Sequence, residues 1–150
     1  MKSTDEMIRM LYAETEQLKM SSQEMERQLS NLTFSKQEML AAKDTLEELV
    51  NHQKDEPLLI PIGGGIRLQV KIDQVEEVLT NIGSGVHINM KPKDVLTRIE
   101  ENLKNIDESI RKIYESLQYI EQEIVKRESQ IQQLAQQRMT TGDSNQQKKE

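Results

Sequence analysis

The sequence predicts an α+β fold: a long antiparallel two-helix coiled coil with two central β-hairpins that join an oligomeric β-barrel. Three observations predict it. From Thr4 to Val50 there is no glycine or proline, and apolar residues recur at every seventh position. A second apolar run, with steps of three and four, starts at Leu96. Between them, apolar and polar residues alternate singly around glycine-containing turns, which is the period of a half-buried strand.

Composition narrows the class. The 150 residues are 35% apolar and 31% charged, with a mean hydropathy of −0.73. A compact domain of this length buries roughly 70% of its unfolded surface, and one Phe, three Tyr and no Trp could hardly fill such an interior. Helices that bury only a stripe need far less. Lys and Arg number 20 against 26 Asp and Glu, a net charge of −6. No segment is basic, so nucleic acid and anionic membrane surfaces are both disfavoured as partners. With no Cys, disulfides, thiolate metal sites and thiol catalysis are excluded. No apolar run approaches the ~20 residues of a spanning helix, and the opening MKSTDEMIRM lacks the apolar centre of a signal peptide, so a cytoplasmic protein is expected.

Residues 1–52 read as the N-terminal coiled-coil helix. Leu11, Leu18, Met25, Leu32, Met39 and Leu46 form one line of the seam. The companion line, Ile8, Thr15, Ser22, Leu29, Lys36, Lys43 and Val50, is apolar at three of seven positions. A spacing of seven sustained this long marks a left-handed coiled coil.

Residues 57–91 read as two β-hairpins that form the assembly region. Ile66, Leu68, Val70 and Ile72 alternate with polar residues and share one face, as do Val86, Ile88 and Met90. The partner strands carry Leu58, Ile60 and Ile62 in one hairpin and Val78 and Ile82 in the other. Gly63, Gly64 and Gly65 supply one turn, and Gly83 and Gly85, with Ser84, supply the other. Pro61 suits an edge strand. Four short strands with one apolar face need a cover and edge partners, and strands of other subunits would provide both.

Residues 92–137 read as the C-terminal coiled-coil helix, with Pro92 at its first position and Asp94 in its first turn. Its seam is Leu96, Ile99, Leu103, Ile106, Ile110, Ile113, Leu117, Ile120, Ile124, Arg127, Ile131 and Leu134, apolar except at Arg127. At ~1.5 Å per residue the two helices have matched lengths, and in an antiparallel pair facing residues would sum to roughly 146. Arg127 would then lie near the polar seam residues Thr15 and Ser22. Residues 138–150 have no period and read as a disordered polar tail.

The insert resembles prefoldin, specifically its alpha-type subunit. The residues that carry the resemblance are Leu59-Ile60-Pro61-Ile62-Gly63-Gly64-Gly65 and the stretch from Glu76 to Val86 with its Gly83-Ser84-Gly85-Val86 turn. They look like the family's leucine-valine-proline-valine-glycine segment and its later glycine-x-glycine-valine turn. Two hairpins rather than one point to the alpha type. The resemblance implies a hetero-hexamer of two alpha-type and four beta-type subunits. It also implies an ATP-independent chaperone that holds unfolded client proteins at coiled-coil tips and passes them to a group II chaperonin. No cofactor is implied.

This subunit's tip would comprise the off-seam Met7, Met10 and Tyr12, the seam residues Ile8, Leu11, Ile131 and Leu134, and Met139. Methionine suits such a surface because its unbranched thioether adapts to many partners. Met7, Met10 and Met20 are expected to be largely exposed in a two-stranded coil. No catalytic or metal site is expected: His52 and His87 have no partner set, and the glycines lack the Lys and Ser or Thr of a phosphate loop. The other reading of the same pattern is a structural coiled-coil filament or tether subunit without client binding.

Overall fold

The computed structural model describes residues 3–53, 56–73 and 75–146, with side chains described as far as Arg138. The elements follow in the order α1 (Thr4–Asn51), β1 (Pro57–Gly63), β2 (Ile66–Lys71), β3 (Val78–Gly83), β4 (Val86–Met90) and α2 (Pro92–Gln146). Two long helices enclose two antiparallel hairpins in sequence, as the periodicities predict. Ile72 falls just beyond β2, and it is half-buried. The helical backbone continues past Gln137 to Gln146, so 138–146 extend α2, and 147–150 of the expected tail lie outside the described residues. Each added helical residue gains a hydrogen bond once a helix exists, and Gly142 alone costs only about 1 kcal/mol relative to alanine.

The ends of the helices follow from local chemistry. Ser3 caps α1: its Oγ accepts from the Glu6 N–H at 3.3 Å, and the Glu6 carboxylate accepts from the Ser3 N–H at 3.0 Å. This is a capping box, legible in the sequence as Ser3-Thr4-Asp5-Glu6. α2 starts at Pro92, whose missing N–H has no intrahelical use there. The Lys91 carbonyl accepts from the N–H groups of Asp94 and Val95, at 3.0 and 3.1 Å.

The described chain forms two compact units. One takes the stretch up to Ser30 together with the stretch from Ile110, and the other is Asn31–Ser109. Within the first, cross-helix ion pairs join Asp5 to Arg138 at 3.0 Å, Glu14 to Arg127 at 3.0 Å and Lys19 to Glu128 at 3.3 Å. Within the second, Lys36 meets Asp107 at 2.6 Å and Lys43 meets Glu100 at 3.2 Å. A step of seven up α1 is matched by a step of seven down α2, so the helices run antiparallel in this unit. Facing residues sum to about 143, within one helical turn of the expected register.

Every seam position named above is buried or half-buried. Leu46, Leu103, Ile120 and Ile131 are the most enclosed apolar ones. Among the described residues no large side chain is completely shut away, because a pair of helices can cover a stripe but not a sphere.

Candidate functional site

Two surfaces stand out. The first is the apolar face of the hairpins. β1 pairs with β2 through Leu58↔Val70 and Ile60↔Leu68, and β3 pairs with β4 through Val78↔Met90 and Thr80↔Ile88. Directly opposed residues share a face, so each register collects the alternating apolar set on one side. The second hairpin repeats the first at a spacing of 20 residues, with Leu58, Gly63, Gly65 and Val70 answered by Val78, Gly83, Gly85 and Met90. Both turns run through three consecutive residues of positive φ, Gly63 at 101° then Gly64 and Gly65 at 60° and 76°, and Gly83 at 118° then Ser84 and Gly85 at 50° and 76°, and the last two of each make a two-residue left-handed turn. That is the turn whose twist matches the strands it joins. The Asn81 side-chain oxygen, accepting from the Gly83 N–H at 2.8 Å, holds the second turn from within.

Exposure along these faces is graded. Leu58 is buried and Ile60, Val70, Val78 and Met90 are half-buried, whereas Ile62 and Ile66 near the first turn stand 60% and 61% exposed. Leu68, Ile82, Val86 and Ile88 are likewise exposed. The hairpins form two separate two-stranded sheets, so every strand has an open edge, Pro61's included. Leu59 and Leu79 are also exposed, on the opposite, otherwise polar faces. Sequence alternation misses them because they are out of phase.

The second surface lies at the free helix ends. Met7, Met10, Leu11 and Leu134 line a cleft of about 350 Å³ with Gln130, Gln133 and Gln137. Tyr12 is exposed outside that lining. Ile8 is half-buried and Ile131 is buried. Met139 lies outside the residues whose side chains are described. Met10 and Met20 are exposed as the seam pattern expects, but Met7 is half-buried, because it turns into the cleft against α2. The cleft glutamines escaped sequence analysis, since a polar residue beside a seam carries no period of its own.

Further along the same unit, polar seam residues form a layer. Thr15 is buried, and its hydroxyl donates to the Leu11 carbonyl at 2.7 Å. Arg127 donates to Glu14 at 3.0 Å and is closely paired with Glu123. The hydrogen bond from Arg127 holds the Glu123 carboxyl below the usual glutamate range, and nearby Lys126 adds to this. Beside this layer on α1, Met20 and Met25 line a second cleft of about 380 Å³ with Gln17, Ser21, Glu24 and Gln28.

His52 has a buried Nε2 without a hydrogen-bond partner, and His87 Nδ1 lies 3.1 Å from the Gly85 carbonyl oxygen. Among the described residues, no group of three His, Cys, Asp or Glu side chains could hold a metal ion, and no helix is long and apolar enough to cross a membrane.

Comparison with known proteins decides the family. The prefoldin-subunit family model matches residues 18–137, which take in both hairpins and most of both helices. This chain belongs to the prefoldin family. Its relatives place it with the alpha type. It is 30% identical over 87 residues to prefoldin subunit alpha 1 of Thermococcus kodakarensis, covering 58% of this chain and 60% of the relative. It is 34% identical over 83 residues to prefoldin subunit alpha of Methanoculleus marisnigri, covering 55% of each. The chain therefore spans less than two thirds of these prefoldin relatives. A solved structure of filamentous PFD from Methanocaldococcus jannaschii aligns at 21% identity with a TM-score of 0.44, over 89% of this chain and 98% of that one.

Proposed function

We propose that this chain is a subunit of an ATP-independent molecular chaperone, assembled through its hairpins and holding unfolded polypeptides at its helix ends. The partners are beta-type prefoldin subunits in a hexamer of two alpha and four beta chains, working in the cytoplasm. Clients then pass to a group II chaperonin. The observation that carries the reading is the pair of distinct exposed apolar surfaces in a prefoldin-family chain. The hairpin faces suit a permanent partner, since β-branched residues are stiff and their strand edges offer hydrogen bonds. The tip cleft suits a transient one. At ~25 cal/mol per Å² of apolar surface, a contact of about 150 Å² yields roughly 4 kcal/mol before ordering costs, and several tethered tips reach useful avidity without a tight site.

The test uses the full chain co-expressed with a beta-type partner. Native mass should report the mixed hexamer, and the hexamer should suppress aggregation of a denatured protein without nucleotide. Removing residues 1–12 and 131–150 should leave the hexamer and reduce suppression. A hexamer that suppresses nothing points instead to a filament or tether subunit.

A further inference from the structure

The family does not explain why methionine gathers in one unit. Met7, Met10, Met20 and Met25 all lie on the α1 stretch before Ser30, and they line the two clefts described above. Their surroundings divide them. Met10 is 42% exposed and Met20 is 62% exposed, both off the seam, whereas Met25 sits in the seam and is half-buried. Ten residues separate the two exposed thioethers, about 15 Å along the helix.

We propose that Met10 and Met20 are reversible oxidation sites that switch off client holding while leaving the coiled coil folded. The inference rests on the client-holding reading above. The oxidant is a peroxide. A thioether lone pair attacks one oxygen of hydrogen peroxide, the O–O bond breaks, that oxygen stays on sulfur as a sulfoxide, and its proton passes to the departing hydroxide, which leaves as water. Sulfur gives up two electrons and the peroxide takes them. The product is polar and a strong hydrogen-bond acceptor, and enzymatic reduction restores the thioether.

The geometry suits this role in two respects. Oxidation follows exposure, so Met20 and Met10 react before the seam residues Met25 and Met39, which are half-buried. The clefts also contain amide donors: Gln130 and Gln133 line the first with Met10, and Gln17 lines the second with Met20. A sulfoxide oxygen that accepts from such an amide stays in place and makes the cleft polar, and the seam beneath is untouched. An apolar client segment then loses its adaptable contacts.

The experiment treats the full chain, co-assembled with a beta-type partner, with graded hydrogen peroxide, and compares it with the Met10→Leu/Met20→Leu double variant. Each protein is compared with itself before peroxide. Peptide mass mapping should show sulfoxide at Met10 and Met20 before Met25 and Met39, with circular dichroism and native mass unchanged. The concentration needed to suppress client aggregation should rise about fivefold to tenfold for the parent, a loss scaled to one thioether contact per cleft. It should rise less than about twofold for the double variant, and methionine sulfoxide reductase should reverse the parent's loss. Three results would overturn the proposal: full oxidation of Met10 and Met20 without loss of holding, an equal loss in the double variant, or uniform oxidation of all four sites. An unoxidised parent that holds no client sinks the underlying chaperone reading, and the switch with it. The oxidation order tells that case apart, because it needs no client.

Discussion

The hairpin faces and the helix tip are both apolar and both exposed, yet they are built from different side chains. The hairpins use mainly Ile, Val and Leu, with Met90 at the end of one face, held in a ladder in which the β-branched residues have little rotamer freedom. The tip uses Met, Leu and Tyr among glutamines, around a cleft beside the start of α1. A stiff surface loses little entropy on meeting a partner of fixed shape, so it favours one partner held permanently. A soft surface orders itself anew for each partner, so it binds many weakly. The difference teaches that apolar exposure alone does not specify a role. On the proposed reading, side-chain stiffness sets the two surfaces apart.

The largest expected effect breaks the stiff surface. Val70→Asp or Ile88→Asp places a carboxylate where the assembled faces would shut out water, costing several kcal/mol. Native mass with a beta-type partner should show the hexamer lost, while circular dichroism of the long helices persists. Normal assembly of both variants would remove the hairpin faces from the interface.

A smaller effect separates packing from client contact at the tip. Ile131, expected among the contact residues, is only 6% exposed. A client would reach it only where the coil opens locally. Ile131→Ala should therefore cost about 2–4 kcal/mol of coil stability, measured by urea unfolding. Met10→Ser should change stability by less than about 1 kcal/mol and weaken client holding severalfold. The reverse pattern would mean that the cleft is packing and the seam is the contact surface.

Much of this division was legible in the sequence. The period of seven found the seam because burial in a helix pair repeats with that spacing, and the residues from Leu11 to Leu46 and from Leu96 to Leu134 are indeed covered. Alternation found the strands, because successive side chains of a strand point to opposite faces. The gradient from buried Leu58 to exposed Ile62 was not legible, because period fixes which face a residue occupies and not how near it lies to the helices. Met7 was assigned to solvent by its off-seam position, but it is half-buried because the α2 side chains reach past the seam at that level. Leu59 and Leu79 break the alternation, and no local pattern marks such residues.

A subtler test compares the two hairpins. Gly65 and Gly85 occupy equivalent turn positions at φ 76°, and open space surrounds the point where a Cβ would stand in each. The cost of Gly65→Ala or Gly85→Ala is thus backbone strain alone, about 1–2 kcal/mol. Each should weaken assembly about fivefold to thirtyfold without abolishing it, read as hexamer fraction against concentration. Unequal losses would show that one hairpin carries more of the interface than the other.

The smallest effect is electrostatic and belongs to the tip-bearing unit. Glu123 is held below the usual glutamate range chiefly by its hydrogen bond from Arg127. A carboxyl whose folded value is depressed stabilises the fold at neutral pH, where it is ionised in both states. That contribution is lost as pH falls through the ordinary glutamate range and then through the lowered folded value. Acid should therefore loosen the layer of Arg127, Glu14 and Glu123. Both partners are partly exposed, so solvent screening keeps the effect small. Melting temperature followed from about pH 6 to about pH 3 should fall more in the parent than in Glu123→Gln, whose amide cannot titrate. The hexamer should persist over the upper part of that range, because the hairpin faces would present aliphatic groups to their proposed partner. If acid instead dissolves the hexamer before it softens the coil, charge and not apolar fit governs the stiff surface, and the contrast between the two surfaces must be redrawn.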